Sequence, residues 1–144
     1  MSVSKTIFLL ICFLGFWTNV SAQKYSYDFT ITSIVYNGEP QQLDNAISKK
    51  GFLKKSTDRL LIAPLNDGSN LYAEIVITTE GVMLDKYTVV QIKYYTRKKK
   101  KWTLFCVSQR RKFKNNHVDK GTFGYNDPNS NESLSLEYSL IIKN

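Results

Sequence analysis

Apolar and polar residues alternate one for one in three stretches of the chain. Tyr25, Tyr27, Phe29 and Ile31 interleave with Ser26, Asp28, Thr30 and Thr32. Leu71, Ala73, Ile75 and Ile77 interleave with Tyr72, Glu74, Val76 and Thr78. Leu134, Leu136, Tyr138, Leu140 and Ile142 interleave with Ser133, Ser135, Glu137 and Ser139. Side chains in a strand repeat every two residues, so each apolar set must share one face. The pattern predicts three strands, each with one face in a core.

Two hairpins join this set. Between Leu65 and Leu71 stands Asn66-Asp67-Gly68-Ser69-Asn70, whose Asp-Gly pair tolerates the positive φ of a tight turn, so 59–65 should fold back on 70–79. Pro64 removes one amide donor, which places its strand at a sheet edge or on a bulge. Segments 86–96 and 101–109 are dense in Val, Ile, Tyr, Thr, Phe and Trp, with a short lysine run between them. They predict a second hairpin, although its turn lacks Gly or Asn. One segment reads as a two-turn helix: Asp44 as cap, Leu43, Ala46 and Ile47 on one side, Lys49 and Lys50 at the negative end, Gly51 as terminator. The expected fold is all-β, an antiparallel sandwich or small barrel of about six to seven strands with at most one short helix.

Residues 1–22 do not share this patterning. A short start carrying Lys5, an apolar run from Ile7 to Trp17, and the small-residue ending Thr18-Asn19-Val20-Ser21-Ala22 have the layout of a secretory signal peptide cleaved before Gln23. The run is well short of the ~20 residues a bilayer-crossing helix requires, and no later stretch is apolar enough to span. The expectation is export to a periplasmic or extracellular space, with 23–144 as a single all-β domain. Cys12 leaves with the signal, so Cys106 has no partner for an internal bridge. Its neighbours Leu104, Phe105 and Val107 point to burial in a strand.

The chain has 144 residues, 42% of them hydrophobic, and a formal net charge of +8. The apolar share excludes a wholly disordered or collagen-like chain. Charge position changes the picture more than its total. Residues 86–114 hold 11 basic groups and no acidic one, whereas 23–85 and 115–144 each carry a small acidic excess. Like charges repel over the ~10 Å Debye length, so a chain that keeps them together is a candidate to meet a negative partner. In an antiparallel hairpin, Arg97, Lys98, Lys99, Lys100 and Lys101 form one basic pole, and Arg110, Arg111, Lys112 and Lys114 a second, about 25 Å away at strand rise. Lys93, Tyr95 and Arg97 share a face that could join them as a candidate anion-binding track. The competing reading is a solvated hairpin tip that protects a sheet end from edge pairing.

Other chemistry finds little footing. His117 is the only histidine, with Asp119 two residues on, and no Gly-x-Ser-x-Gly turn or equivalent supplies a nucleophile. A thiol triad of Cys106, His117 and Asp119 would need an exposed, activated cysteine. One histidine and one mature cysteine cannot close a zinc site. Asp127-Pro128-Asn129-Ser130-Asn131 starts like a calcium loop, but Glu132 and Tyr138 stand where its Gly and Glu belong. Asn131-Glu132-Ser133 is a glycosylation triplet only in a eukaryotic secretory route. Tyr25, Tyr27, Tyr36, Tyr72, Tyr94, Tyr95 and Trp102 could form a sugar-stacking platform, though strand aromatics commonly pack in cores. No cofactor-binding motif is present.

The expected function is an exported, non-catalytic binding or accessory module that contacts an acidic glycan, lipopolysaccharide or anionic lipid surface through its basic hairpin. Nucleic acid is a poor partner for an exported chain without a recognition motif. The alternatives are an envelope structural or assembly protein that captures a protein partner at a sheet edge, with the Pro64 strand or the C-terminal strand as that edge, and a small hydrolase using paired carboxylates.

Overall fold

The computed structural model describes residues 25–53 and 59–144; the expected signal peptide and its cleavage point lie outside them. Ten strands run in chain order: β1 Tyr25–Tyr36, β2 Glu39–Pro40, β3 Ile47–Leu53, β4 Arg59–Pro64, β5 Asn70–Glu80, β6 Tyr87–Lys98, β7 Lys101–Val107, β8 Arg111–Phe113, β9 Asn116–Asn126 and β10 Ser133–Lys143. They form two antiparallel sheets. The first has the order β2-β1-β10-β9, with β3 also pairing β1; the second has the order β4-β5-β6-β7, with β8 also pairing β6. The sheets pack face to face as a sandwich. Phe29, Ile31, Ile34, Leu134, Leu136, Leu140 and Ile142 from the first meet Leu71, Ala73, Ile75, Val90, Ile92 and Tyr94 from the second in one apolar cluster. Burying each such aliphatic side chain stabilises the fold by roughly 1.5–3 kcal/mol before conformational entropy is set against it.

The three alternating stretches are strands, and both predicted hairpins form. The count exceeds six or seven because β2 and β8 are two- and three-residue pieces, because the second half of the expected helix is a strand, and because Asn116–Asn126, in none of the expected strands, forms β9. Residues 47–53 pair with β1 from Ile31↔Ile47 to Tyr25↔Leu53. A short helix would leave the donors and acceptors of that edge unpaired, whereas the strand satisfies them. Asp28 and Lys50 stand directly opposite and form an ion pair at 3.0 Å. Gly51 lies under the Tyr27 ring, where an added Cβ would approach it to 3.2 Å. The glycine that reads as a helix stop therefore makes room for an aromatic on the neighbouring strand.

Bulges reset the two-residue period. In β1 the register jumps between Ile31 and Ser33, so Ile31 and Ile34 are both buried although three residues apart. β4 forms an edge of its sheet, one of the two placements expected of the Pro64 strand, and its bulge lies between Leu61 and Ala63, before Pro64. The C-terminal strand is not an edge. β10 is paired on one side with β1 and on the other with β9, so β9 is the exposed margin there.

Candidate functional site

Every second residue of β6 points away from the core. Tyr87, Lys93, Tyr95 and Arg97 lie on the outer face of their sheet, opposite Glu80, Glu74, Tyr72 and Asn70 of β5. On the other flank, Arg97 stands across from Trp102 and Tyr95 across from Leu104. The expected Lys93–Tyr95–Arg97 face thus exists and looks outward. The aromatic set divides by strand parity: Tyr25, Tyr36 and Tyr94 are core residues, whereas Tyr72, Tyr95 and Trp102 meet on the outer face, with Trp102 centred 4.6 Å from Tyr72 and 6.4 Å from Tyr95.

Arg59 completes this face and is the functional candidate that sequence reasoning missed. Its guanidinium carbon sits 4.0 Å from the centre of the Tyr95 ring and 4.4 Å from that of Trp102, with Arg97 4.9 Å from the same indole. Counting back from the Asp67-Gly68 turn without interruption would pair Arg59 with Ile75, on the core side. The bulge in β4 moves it opposite Glu74 and turns it outward. Glu74 is only 3% exposed, and its carboxylate accepts from Arg59 Nε at 3.4 Å. The rings are therefore a base plate that holds two guanidinium planes in position, with one internal carboxylate balancing one of them.

The basic poles lie at opposite ends of β6. At one end, Lys98 and Lys101 close a two-residue turn in which Lys99 adopts a φ of 55°. Lys98 Nζ donates to the Asp67 backbone carbonyl at 2.9 Å. Burial alone would raise the Asp67 pKa, but hydrogen bonds from Ser69 and Tyr36 and the Lys98 charge outweigh it and hold the carboxyl below its usual range. At the other end, β8 pairs with Thr88–Val90. Arg110 reaches across β6 to an ion pair with Glu80, whose other carboxylate oxygen accepts from the Tyr87 hydroxyl at 3.4 Å. Lys112 Nζ rests 4.0 Å from the centre of the Tyr87 ring. Arg111, opposite Val90, leaves the outer face and lines a cleft between the sheets.

That cleft, about 350 Å³, opens where β7 gives way to β8 and is also lined by His117, Asp119, Phe123 and Tyr138. Asp119, the one carboxylate among the described residues of its lining, accepts from the Tyr138 hydroxyl at 2.8 Å. Burial, with this bond and the Asp119 charge, pushes the phenol up to about 12. Burial, helped by Arg111 and opposed by Asp119, lowers the His117 pKa, so its imidazole stays neutral while packed 5.5 Å from the centre of Phe113. Cys106 is buried through a bulge in β7 that sets it opposite Tyr94. Burial pushes its thiol up to about 12, the reverse of what a thiol nucleophile requires. The Asp127 carboxylate is engaged by its own turn, accepting from Asn129 N at 2.8 Å and Ser130 Oγ at 3.0 Å. Among the described residues no three His, Cys, Asp or Glu side chains gather to hold a metal ion, and no helix is long and apolar enough to cross a membrane.

Comparison with family profiles, with curated proteins and with solved structures finds no match for this chain. A functional reading therefore rests on the geometry of the outer face and its two poles.

Proposed function

We propose that this is an exported, non-catalytic binding module that lays an extended anionic polymer, an acidic glycan, along the outer face of its second sheet. The observation that carries the reading is the stacking of Arg59 and Arg97 on Tyr95 and Trp102 between the two lysine- and arginine-rich poles. Guanidinium planes held on rings lose little freedom when they meet a carboxylate or sulfate, so the entropic cost of binding is reduced in advance. From Tyr87 to Arg97 the lane spans about 33 Å at strand rise, which suits a chain of regularly spaced anions better than a compact ion. The polymer would meet Arg97, Lys98, Lys99, Lys100 and Lys101 at one end, Arg59 and Lys93 in the middle, and Lys112 at the other. Arg110 is already matched by Glu80, and Arg111 faces the cleft; both contribute less.

The test is retention on immobilised dextran sulfate, against neutral dextran, across a salt series. Logarithmic affinity should fall linearly with logarithmic salt concentration, as release of condensed counterions requires. Replacing Lys98–Lys101 with Gln should flatten that slope. An Arg59→Ala/Arg97→Ala variant should lose about tenfold or more in affinity, the combined worth of two charge-assisted contacts. Binding that ignores salt, or equal retention on neutral dextran, would overturn the proposal.

A second reading, partner capture at a sheet edge, is favoured by β9, whose 11 residues pair, among the described strands, with β10 alone. An added strand would bind through main-chain hydrogen bonds, with little dependence on salt.

A further inference from the structure

We infer that the loop between β5 and β6 seats on the surface of an anionic phospholipid bilayer. Its apex is Val82-Met83-Leu84, three consecutive apolar residues that are 78%, 88% and 100% exposed. Isolated exposed apolar residues are ordinary; three in succession at the end of a sandwich are not. The loop is also built rather than slack. The Asp85 amide donates to the Val82 carbonyl at 3.1 Å. Gly81 holds a φ of 95°, and an added Cβ there would collide with the Asp85 carbonyl oxygen. Met83 adopts a φ of 53°, a left-handed conformation that disfavours any L side chain. That strain is spent on holding apolar side chains in solvent, an arrangement the core does not need.

Charge chooses the occupant. Lys86 closes the loop, and Lys112 stands over the ring of Tyr87, the first residue of β6. Lys114, in the two-residue link from β8 to β9, and Lys143, opposite Asn116 at the end of β10, belong to the same end of the sandwich. Among the described residues the acidic groups there are Asp85 in the turn and Glu80, the latter already engaged by Arg110 and Tyr87. An apolar apex collared by cations enters the boundary between headgroups and acyl chains while its ammonium groups meet lipid phosphates. A protein groove would accept the apex alone and has no need of the collar. The inference does not rest on the polymer reading: the two share Lys112, but the Arg59–Tyr95–Trp102–Arg97 cluster that carries the polymer reading contributes nothing to this one.

The experiment is cosedimentation of the chain with vesicles of equal phosphatidylglycerol and phosphatidylcholine, and with phosphatidylcholine vesicles alone. All proteins must carry the same N-terminus, read by mass spectrometry. The anionic vesicles should bind the chain, and Met83→Ser/Leu84→Ser should weaken binding by about tenfold or more, the value of two lost apolar side chains. Lys86→Gln and Lys112→Gln should each weaken it by about fivefold. The emission of a Leu84→Trp variant, less that of the parent, should shift to shorter wavelength with anionic vesicles. Undiminished binding by Met83→Ser/Leu84→Ser, or a Leu84→Trp emission that stays that of a water-exposed indole, would overturn the inference. Loss of self-association in the serine variant, seen by sedimentation velocity, would instead assign the loop to a second copy of the chain. An Arg59→Ala/Arg97→Ala variant that loses dextran sulfate but keeps vesicles separates the two readings.

Discussion

Tyr94 shows how one side chain can be well packed and poorly matched at once. It is fully buried, its ring lies 5.0 Å from that of Phe123, and its hydroxyl meets no hydrogen-bond partner among the described residues. Burial, with Tyr138, Cys106 and Asp119 nearby, raises its pKa far above the usual phenol value. Removing an unmatched buried hydroxyl while keeping the ring should stabilise the chain, so Tyr94→Phe is expected to add about 1 kcal/mol in urea unfolding. Lys99 presents a different mismatch, a lysine at a φ of 55° where glycine carries no steric penalty. Lys99→Gly should add about 0.5–1 kcal/mol, the left-handed penalty less the extra entropy of glycine. A lysine kept there despite this cost is consistent with a use for its charge at the turn. Neither position stands out in the sequence: Tyr94 obeys the alternation, and Lys99 is one of four adjacent lysines.

At the scale of the element, position within a sheet decides what a substitution does. β10 lies between β1 and β9, and Leu136 is completely buried in it. Leu136→Ala is expected to cost about 2–5 kcal/mol, since neighbours on both sides limit collapse around the cavity. Leu61, 46% exposed on the edge strand β4, should tolerate Ala within about 0.5 kcal/mol. The same urea series checks both, and similar losses would contradict the strand order. The residue pattern alone could not separate these leucines, because alternation identifies a face and says nothing about flanking strands. It also mistook residues 44–51, of which 47–51 belong to β3. Leu43, Ala46 and Ile47 satisfy a helical period, yet Ile47, Gly51 and Leu53 satisfy a strand period equally well. The deciding factor was the open flank of β1, a partner distant in sequence.

For the whole molecule, the single histidine makes pH a clean probe. In the fold, burial and Arg111 hold His117 neutral against the opposing pull of Asp119. In the unfolded chain the same imidazole takes a proton below about 6.5. The unfolded state therefore binds more protons in that window, so stability is full above about 6.5 and declines as pH falls towards the lowered folded value. Melting temperature should drop between pH 7 and pH 5, and His117→Phe, which keeps the ring against Phe113, should flatten that slope. An unchanged slope would show that His117 is not held neutral by the fold. Much at this scale was legible beforehand: the all-β class, both hairpins, the edge position of the Pro64 strand and the separation of basic charge into two poles. These follow from side-chain period, turn chemistry and chain distance, which are local quantities. Tertiary structure alone decided that Arg59 joins Tyr95 and Trp102, that Arg111 turns into the cleft, that β10 is central, and that Val82, Met83 and Leu84 stand in solvent. Each depends on a bulge, a strand neighbour or the packing of one sheet on the other, and those contacts join residues whose relation no linear spacing encodes.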